Sequence, residues 1–417
     1  MVGNIEYQNK VDSIVKNPDM FKIITEDEFD KTIVGELSSR KTIFLLNCSI
    51  WLKGIVEHTF IGGESSVGKD HVTKAVLKIF PQERVIFATK ITPQAFTYWH
   101  ENDKDWYWDN KIVYLPDIHE STLNSPVFKT MASEGTKAVV VRNGKTEEIE
   151  INGIPNLIVT TAESEPINEV LNRFNLVSLD ETNKQTLAIM EFEAEKAKYN
   201  KKIFYSAEVV DALRMLEVVE VVVPFADKMI KYFPRNVKLR RIFKNFINLI
   251  KSSCALYQFQ RDKDNDGNVI ANKQDYEIAR EVIENIREET ISGVTAREKR
   301  YLMAFNNLPE KWYTLPEIFN ETKGILTLQN WYKVMESLQE KGRVNLKEEK
   351  EDEMFGKWIK KYQKIIQEEI KLQLPAFEKL GFNDIISIND NNSIIDINKT
   401  ILKKKENKGG IGVVLGH

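Results

Sequence analysis

Residues 62–72 read GGESSVGKDHV, in which Gly63, four intervening residues, Gly68 and Lys69 have the spacing of a phosphate-binding loop. The backbone N–H groups of Gly63, Glu64, Ser65, Ser66, Val67, Gly68 and Lys69 can converge on an anion, and a helix beginning at the loop's end adds the positive end of its dipole. Lys69 supplies a full positive charge. Such a loop has this meaning only between a strand and a helix. Here HTFI precedes it, and HVTKAVLKIF follows with Val72, Ala75, Val76 and Ile79 on one helical face. The order strand, glycine loop, helix commits this part of the chain to an α/β fold.

Further short apolar runs continue that fold: ERVIFAT (83–89), KIVYL (111–115), NLIVTT (156–161) and NLVSLDE (175–181). Their Val and Ile content predicts a parallel sheet covered by helices on both faces. TIVGELSSRKTIFLLNCSIWL (32–52) reads as a buried helix introduced by a turn at Gly35. KAVVVRNGKTEEIEI (137–151) reads as an inserted hairpin, because Asn143 and Gly144 both tolerate positive φ. From 184 to 290 the pattern is helical, interrupted by VVEVVVPF (218–225). The chain therefore divides into an N-terminal segment (1–30), a core (31–183), a helical region (184–290), a smaller unit (291–358) and a charged tail (359–417).

The 417 residues are too many for one compact core, so several domains are expected. No apolar run reaches about 18 residues, so no membrane partner is expected, and the polar N-terminus is not a secretion signal. Cys48 and Cys254 stand alone, which argues against a zinc cluster or a disulfide framework and fits a reducing, cytoplasmic setting. A net charge of −3 means that a nucleic-acid binder would have to concentrate its Lys and Arg on one surface or in a channel.

Several side chains are placed for phosphate chemistry. Asp70 stands where Ser or Thr is usual after the loop lysine. It either ligates Mg²⁺, which favours oxygen ligands, or caps the helix. Without metal it would repel phosphates by about 4 kcal/mol at about 4 Å and an effective dielectric of about 20. KIVYLPDIHES supplies Asp117 and Glu120 after the strand, one to hold Mg²⁺ through water and one to polarise an attacking water. Asp117 is the first choice; Pro116 stands where the first of an adjacent acid pair belongs. Thr161, next to Thr160 at a strand end, can orient the attacking water. Arg173, just before NLVSLDE, can reach a neighbouring copy's γ-phosphate, which requires an oligomer.

The order of these features, loop 63–69, acid strand ending at Asp117, hairpin 137–151, Thr161 strand and LNRFNLVSLDE, resembles the AAA+ ATPase core of minichromosome-maintenance-like (MCM-like) helicases. It is closer still to the helicase modules of plasmid, phage and integrated-element primase-helicases. TIVGELSSRKTIFLLNCS, ITPQAFTYW and NFINLIKSSCALYQFQR look like stretches of that group, and the likeness spans about Thr32 to Arg261. The resemblance implies an AAA+ core with a helical lid over 184–290 and ATP and Mg²⁺ as ligands. By the same likeness Lys69 binds phosphate, Asp117 is the strand acid, Thr161 is the first sensor and Arg173 is the finger. The hairpin would line a ring channel, with Lys145 as the DNA contact and Arg142 beside it. A second sensor arginine is expected among Arg235, Arg240 and Arg241, with Arg240 carried forward. Since no zinc-finger or primase segment precedes the core, the chain reads as the motor part alone.

VTAREKRYLMAFNN through GRVNL (294–346) reads as a winged-helix domain, with helices over 296–307 and 315–322, a third from near Leu328 bearing Trp331, Lys333 and Leu338, and a wing after Gly342. Its third helix is a candidate for the major groove; the acidic KEEKEDE beyond would repel a DNA backbone, and packing on the ring or on a partner protein is the other reading. RDKDNDGNVI imitates a calcium loop but carries Lys273 at the twelfth position, so it reads as a polar turn. FTYWHENDKDWYW reads as a packed edge. The expected function is an ATP-dependent DNA translocase or helicase, forming a homo-oligomeric ring, a hexamer, on single-stranded DNA, with a primase or initiator protein as a further partner. The alternatives are a nucleotide-binding initiator or loader with little hydrolysis, favoured by Asp70 and Pro116, and an AAA+ remodeller of protein complexes.

Overall fold

The computed structural model describes residues 2–62, 68–89, 91–99, 106–132, 137–142, 145–150, 152–161, 173–199, 204–233, 237–292, 296–322, 328–340, 342–350, 358–365 and 374–380. Five strands, β1 (Thr59–Gly62), β2 (Val85–Phe87), β3 (Ile112–Leu115), β6 (Asn156–Thr160) and β7 (Asn175–Ser178), form one sheet in the order β2-β3-β6-β1-β7. Every pairing in it is parallel. Alternate residues go to opposite faces: Ile61, Ile112, Tyr114, Ile158 and Val177 to one core, and Phe60, Val113, Leu115, Leu157, Val159 and Leu176 to another. Both faces are apolar because both are covered, as the Val- and Ile-rich runs require.

The first face packs against the helices Leu37–Asn47, Lys69–Leu77, Val237–Leu256 and Lys273–Ser292. The turn before Leu37–Asn47 is tight: Gly35 has φ +61°, and a Cβ there would lie 2.5 Å from Gln185 Oε1. The buried Arg261–Asp275 ion pair (2.8 Å) ties the end of the helix Val237–Leu256 to the start of Lys273–Ser292. The second face is closed by Phe96, Trp108 and Phe128, with Trp99 and Trp106 against Trp108. The aromatic run 96–108 is therefore a packed edge as far as its described residues go.

The inserted hairpin forms as β4 (Lys137–Arg142) and β5 (Lys145–Glu150), antiparallel, with Arg142 opposite Lys145. VVEVVVPF supplies only β8 (Val221–Val222), paired in parallel with β9 (Val269–Ile270). In RDKDNDGNVI the Asp264 carboxylate accepts from the N–H groups of Asp266 (3.0 Å) and Asn268 (2.8 Å), a polar turn closed on itself.

The last third has its own core. Helices Ala296–Asn306, Leu315–Glu321 and Leu328–Glu340 pack with β10 (Tyr313–Thr314), β11 (Val344–Lys350) and β12 (Trp358–Lys364), in the antiparallel order β10-β12-β11, around Tyr301, Phe305, Trp331, Met335 and Leu338. Thr314 and Glu317 make a reciprocal capping box for Leu315–Glu321.

Three expectations need correction. Residues 1–30 are not a separate segment: Met20, Phe21, Ile24 and Phe29 are buried in the main core. The boundary at 358 cuts the C-terminal sheet, since β12 starts at Trp358 and runs to Lys364; its Lys360, Lys361 and Lys364 looked like a charged tail. The tail is also partly core, for Leu374, Phe377 and Leu380 pack with Phe225 and Tyr276, and Tyr276 Oη donates to the Pro375 carbonyl (2.7 Å). Among the described residues no helix is long and apolar enough to cross a membrane.

Candidate functional site

Gly68 starts the helix Lys69–Leu77 from a left-handed conformation, φ +92°, which explains a glycine there. Gly63, Glu64, Ser65, Ser66 and Val67 lie outside the described residues. Lys69 follows at the first helical position and is 6% exposed. The loop helix therefore springs from the C-terminal end of β1, an interior strand between β6 and β7.

Asp70 does not cap this helix with its side chain. Its Oδ1 accepts from the Tyr114 hydroxyl (2.5 Å) and the Thr160 hydroxyl (3.4 Å), and its Oδ2 accepts from Lys74 Nζ (2.9 Å). Helix, β3 and β6 thus meet at one carboxylate. Burial alone would raise the Asp70 carboxyl, but Tyr114, Lys74 and Thr160 together hold it below its ordinary value, so it is ionised at neutral pH. Burial and the Asp70 bond push the Tyr114 phenol up, keeping it a donor.

Asp117 is exposed at the end of β3, with φ +46°. That left-handed turn costs most residues roughly 1–2 kcal/mol and is tolerated by Asp. Thr160 fixes it: its Oγ1 accepts from the Asp117 N–H (3.1 Å) and its carbonyl from the Ile118 N–H (3.0 Å). Thr160 therefore links Asp70 to the Asp117 turn. Thr161, the residue singled out from sequence, is buried one position beyond the strand. Glu120 begins the helix Glu120–Leu123; its side chain lies outside the described residues. His119 Nδ1 accepts from the Ser121 N–H (3.2 Å), a local turn contact.

Mg²⁺ fits this donor set. Asp70 offers an ionised carboxylate of the hard-oxygen kind, whose Oδ2 is held by a half-exposed ammonium. Among the described residues no group of three or more acidic, His or Cys side chains forms a protein cage. A cation here would complete its shell with phosphate oxygens and water, as Mg²⁺ commonly does.

Arg173 lies at the other end of the sheet, just before β7, and its Nη1 donates to the Lys129 carbonyl (2.7 Å). It lines a cavity of about 570 Å³ with residues 54–58, Arg241, Lys244, Asn245 and Asn248. Desolvation and the neighbouring Arg173 charge lower the Arg241 guanidinium. Of the expected sensor arginines, Arg240 is exposed and outside this lining, because adjacent positions on a helix point about 100° apart; Arg235 lies outside the described residues. Sequence reading had no means of choosing between neighbours on that helix.

Beneath the cavity lies a polar network invisible in the sequence. Glu57 accepts from Asn248 (2.6 Å) and Asn175 (2.6 Å), and Asn175 Oδ1 accepts from Asn245 (2.8 Å). Burial raises the Glu57 carboxyl despite those bonds and Lys244. His58 Nδ1 accepts from the Leu157 N–H (3.1 Å), and burial pushes His58 down to about 4. On the hairpin, Lys145 is exposed directly after the turn residues 143–144, which lie outside the described set; the Arg142 side chain also lies outside it.

No curated protein matches the chain. The family model described as the MTBMA_p00010 P-loop domain matches residues 4–223, which include the glycine loop, all five strands of the parallel sheet, the hairpin and the N-terminal helices. That span is more than half of the 417 residues. With a loop helix rising from an interior parallel strand and a buried lysine at its start, the chain belongs to the MTBMA_p00010 P-loop domain family and is a P-loop, nucleotide-binding NTPase.

Proposed function

We propose that this P-loop protein is an ATP-dependent DNA helicase or translocase that works as a ring of identical copies, a hexamer, in the replication of a mobile genetic element. The observation that carries the reading is the separation of Lys69 from Arg173 and Arg241. Lys69 follows the C-terminal end of β1, whereas Arg173 and Arg241 line the cavity at the N-terminal edge. The four residues of β1 span about 13 Å, beyond the reach of an arginine side chain to its own loop. A second copy placed head to tail would bring its phosphates to these arginines, and such heterologous contacts give a ring when the rotation between copies closes.

Other features support the same reading. The hairpin β4–β5 is inserted between strands β3 and β6 and presents Lys145 next to its tip, where it suits contact with a phosphate backbone. The three helices and antiparallel sheet of the C-terminal unit are compatible with a winged helix. There Trp331 and Leu338 are core, whereas Tyr332 and Lys333 are among the exposed side chains that could meet a partner. In the nucleotide site Lys69 would bind phosphate, Thr160 would hold the Asp117 turn, and Asp117 would accept from the attacking water. Asp70 would hold Mg²⁺, which when bound would neutralise phosphate charge. Pro116 favours one second reading, a loader that binds ATP and turns it over slowly.

Sedimentation of the full chain with ATP and single-stranded DNA, paired with a strand-displacement assay, tests the proposal. The motor reading expects nucleotide-dependent assembly and unwinding. Assembly without unwinding selects the loader, and a chain that stays monomeric under every ligand removes the ring.

A further inference from the structure

Two oddities of the sequence meet at one point in space. Position 70 carries a carboxylate where a hydroxyl is usual, and position 116 carries proline where a carboxylate is usual. Tyr114, two residues before Pro116 on β3, brings its hydroxyl 2.5 Å from Asp70 Oδ1, and Thr160 adds a second hydroxyl at 3.4 Å. The site still holds a carboxylate and hydroxyls, with the carboxylate moved from strand to helix and a hydroxyl from helix to strand. This exchange fixes Oδ1. Oδ2 accepts from Lys74 Nζ (2.9 Å), and the Lys74 and Asp70 side chains are 44% and 41% exposed. Ion pairs so open to water are weak and part readily.

We infer that Lys74 is a resident counter-cation for Asp70, holding Oδ2 when no metal is present and yielding that oxygen when Mg²⁺ arrives with nucleotide. The inference rests on the nucleotide-site reading above. Its physical basis is charge. An uncompensated carboxylate at the first turn of the loop helix would repel the phosphates that the loop gathers. An ammonium one helical turn away cancels that repulsion without occupying the phosphate site. Tyr114 makes the exchange possible, because it keeps the carboxylate in place while its second oxygen changes partner. Lys74 is thus a specificity-determining residue that sets how strongly nucleotide binding depends on metal.

The test is a titration of a fluorescent ATP analogue into the full chain, in EDTA and in excess Mg²⁺, for wild type, Lys74→Gln, Asp70→Ser and the double variant. Lys74→Gln is expected to weaken metal-free binding about tenfold, the change that corresponds to about 1.4 kcal/mol, while Mg²⁺-bound affinity stays within about twofold. Asp70→Ser should narrow the ratio of the two affinities, and adding Lys74→Gln to it should then change nothing. Mn²⁺ binding in the presence of nucleotide, read from its EPR signal, should tighten in Lys74→Gln. A ratio unmoved by Lys74→Gln, or moved equally with and without Asp70, overturns the inference. Wild type binding nucleotide with such a flat response removes the inference alone, whereas wild type binding neither form removes the nucleotide reading and the inference together.

Discussion

His58 and Glu57 are adjacent, buried and opposite in proton preference. His58, at about 4 in the folded chain against 6.5 as its ordinary value, stays neutral where the unfolded chain takes up a proton. Its contribution to stability is therefore complete above pH 6.5 and is lost as pH falls towards 4, an effect of about 3 kcal/mol. Glu57 is raised, so its contribution is present at low pH and is lost as pH rises through its elevated value. Urea midpoints measured between pH 4.5 and 8 should show a shallower acid decline for His58→Gln than for wild type. Glu57→Gln should compare best with wild type at the alkaline end. Little of this could be read from the sequence. The strand pattern around HTFI is local, but the partners of Glu57 come from residues 175 and 248, and those of Asp70 from residues 114 and 160. Tyr114 was hidden for a further reason: within KIVYL it reads as one more apolar strand residue.

Elements were far more legible than contacts. Each strand of the parallel sheet announces itself by a short apolar run with residues for both faces, and Asn143-Gly144 marks the hairpin, because these signals lie within a few neighbouring residues. The C-terminal strands were half missed. β11 is followed by acidic residues, and β12 alternates buried Tyr362 with Lys361 and Gln363, so its one-sided pattern looked like a charged tail. Two predictions belong here. On the proposed DNA-binding role, Lys145→Ala should weaken single-stranded DNA binding for all sequences and reduce the slope of log affinity against log salt by about 1, as anisotropy at several salt concentrations would report. Trp331 is fully buried between Tyr301 and the C-terminal sheet. Trp331→Ala should cost that unit about 3–5 kcal/mol and melt it apart from the parallel-sheet core, visible as an early separate transition in calorimetry.

Across the whole molecule, Lys69 follows the C-terminal end of β1 whereas Arg173 and Arg241 line the cavity at the opposite end of the sheet; on the proposed ring reading a neighbouring copy would join them. If the ring reading holds, Arg173→Ala should lower turnover about a thousandfold or more while nucleotide binding by the separate chain stays intact. Mixing Arg173→Ala with Lys69→Ala copies should restore part of the turnover, since each variant spoils a different half of a shared site. Steady-state hydrolysis across mixing ratios measures this. The segment Leu374–Leu380 adds one more consequence. It returns from the C-terminal unit to bury Leu374 and Leu380 against the helices of the main body, so that unit is moored fore and aft. Severing the chain at one engineered protease site, on either side of the unit, would leave it still attached in solution, and two cuts would be needed to set it adrift.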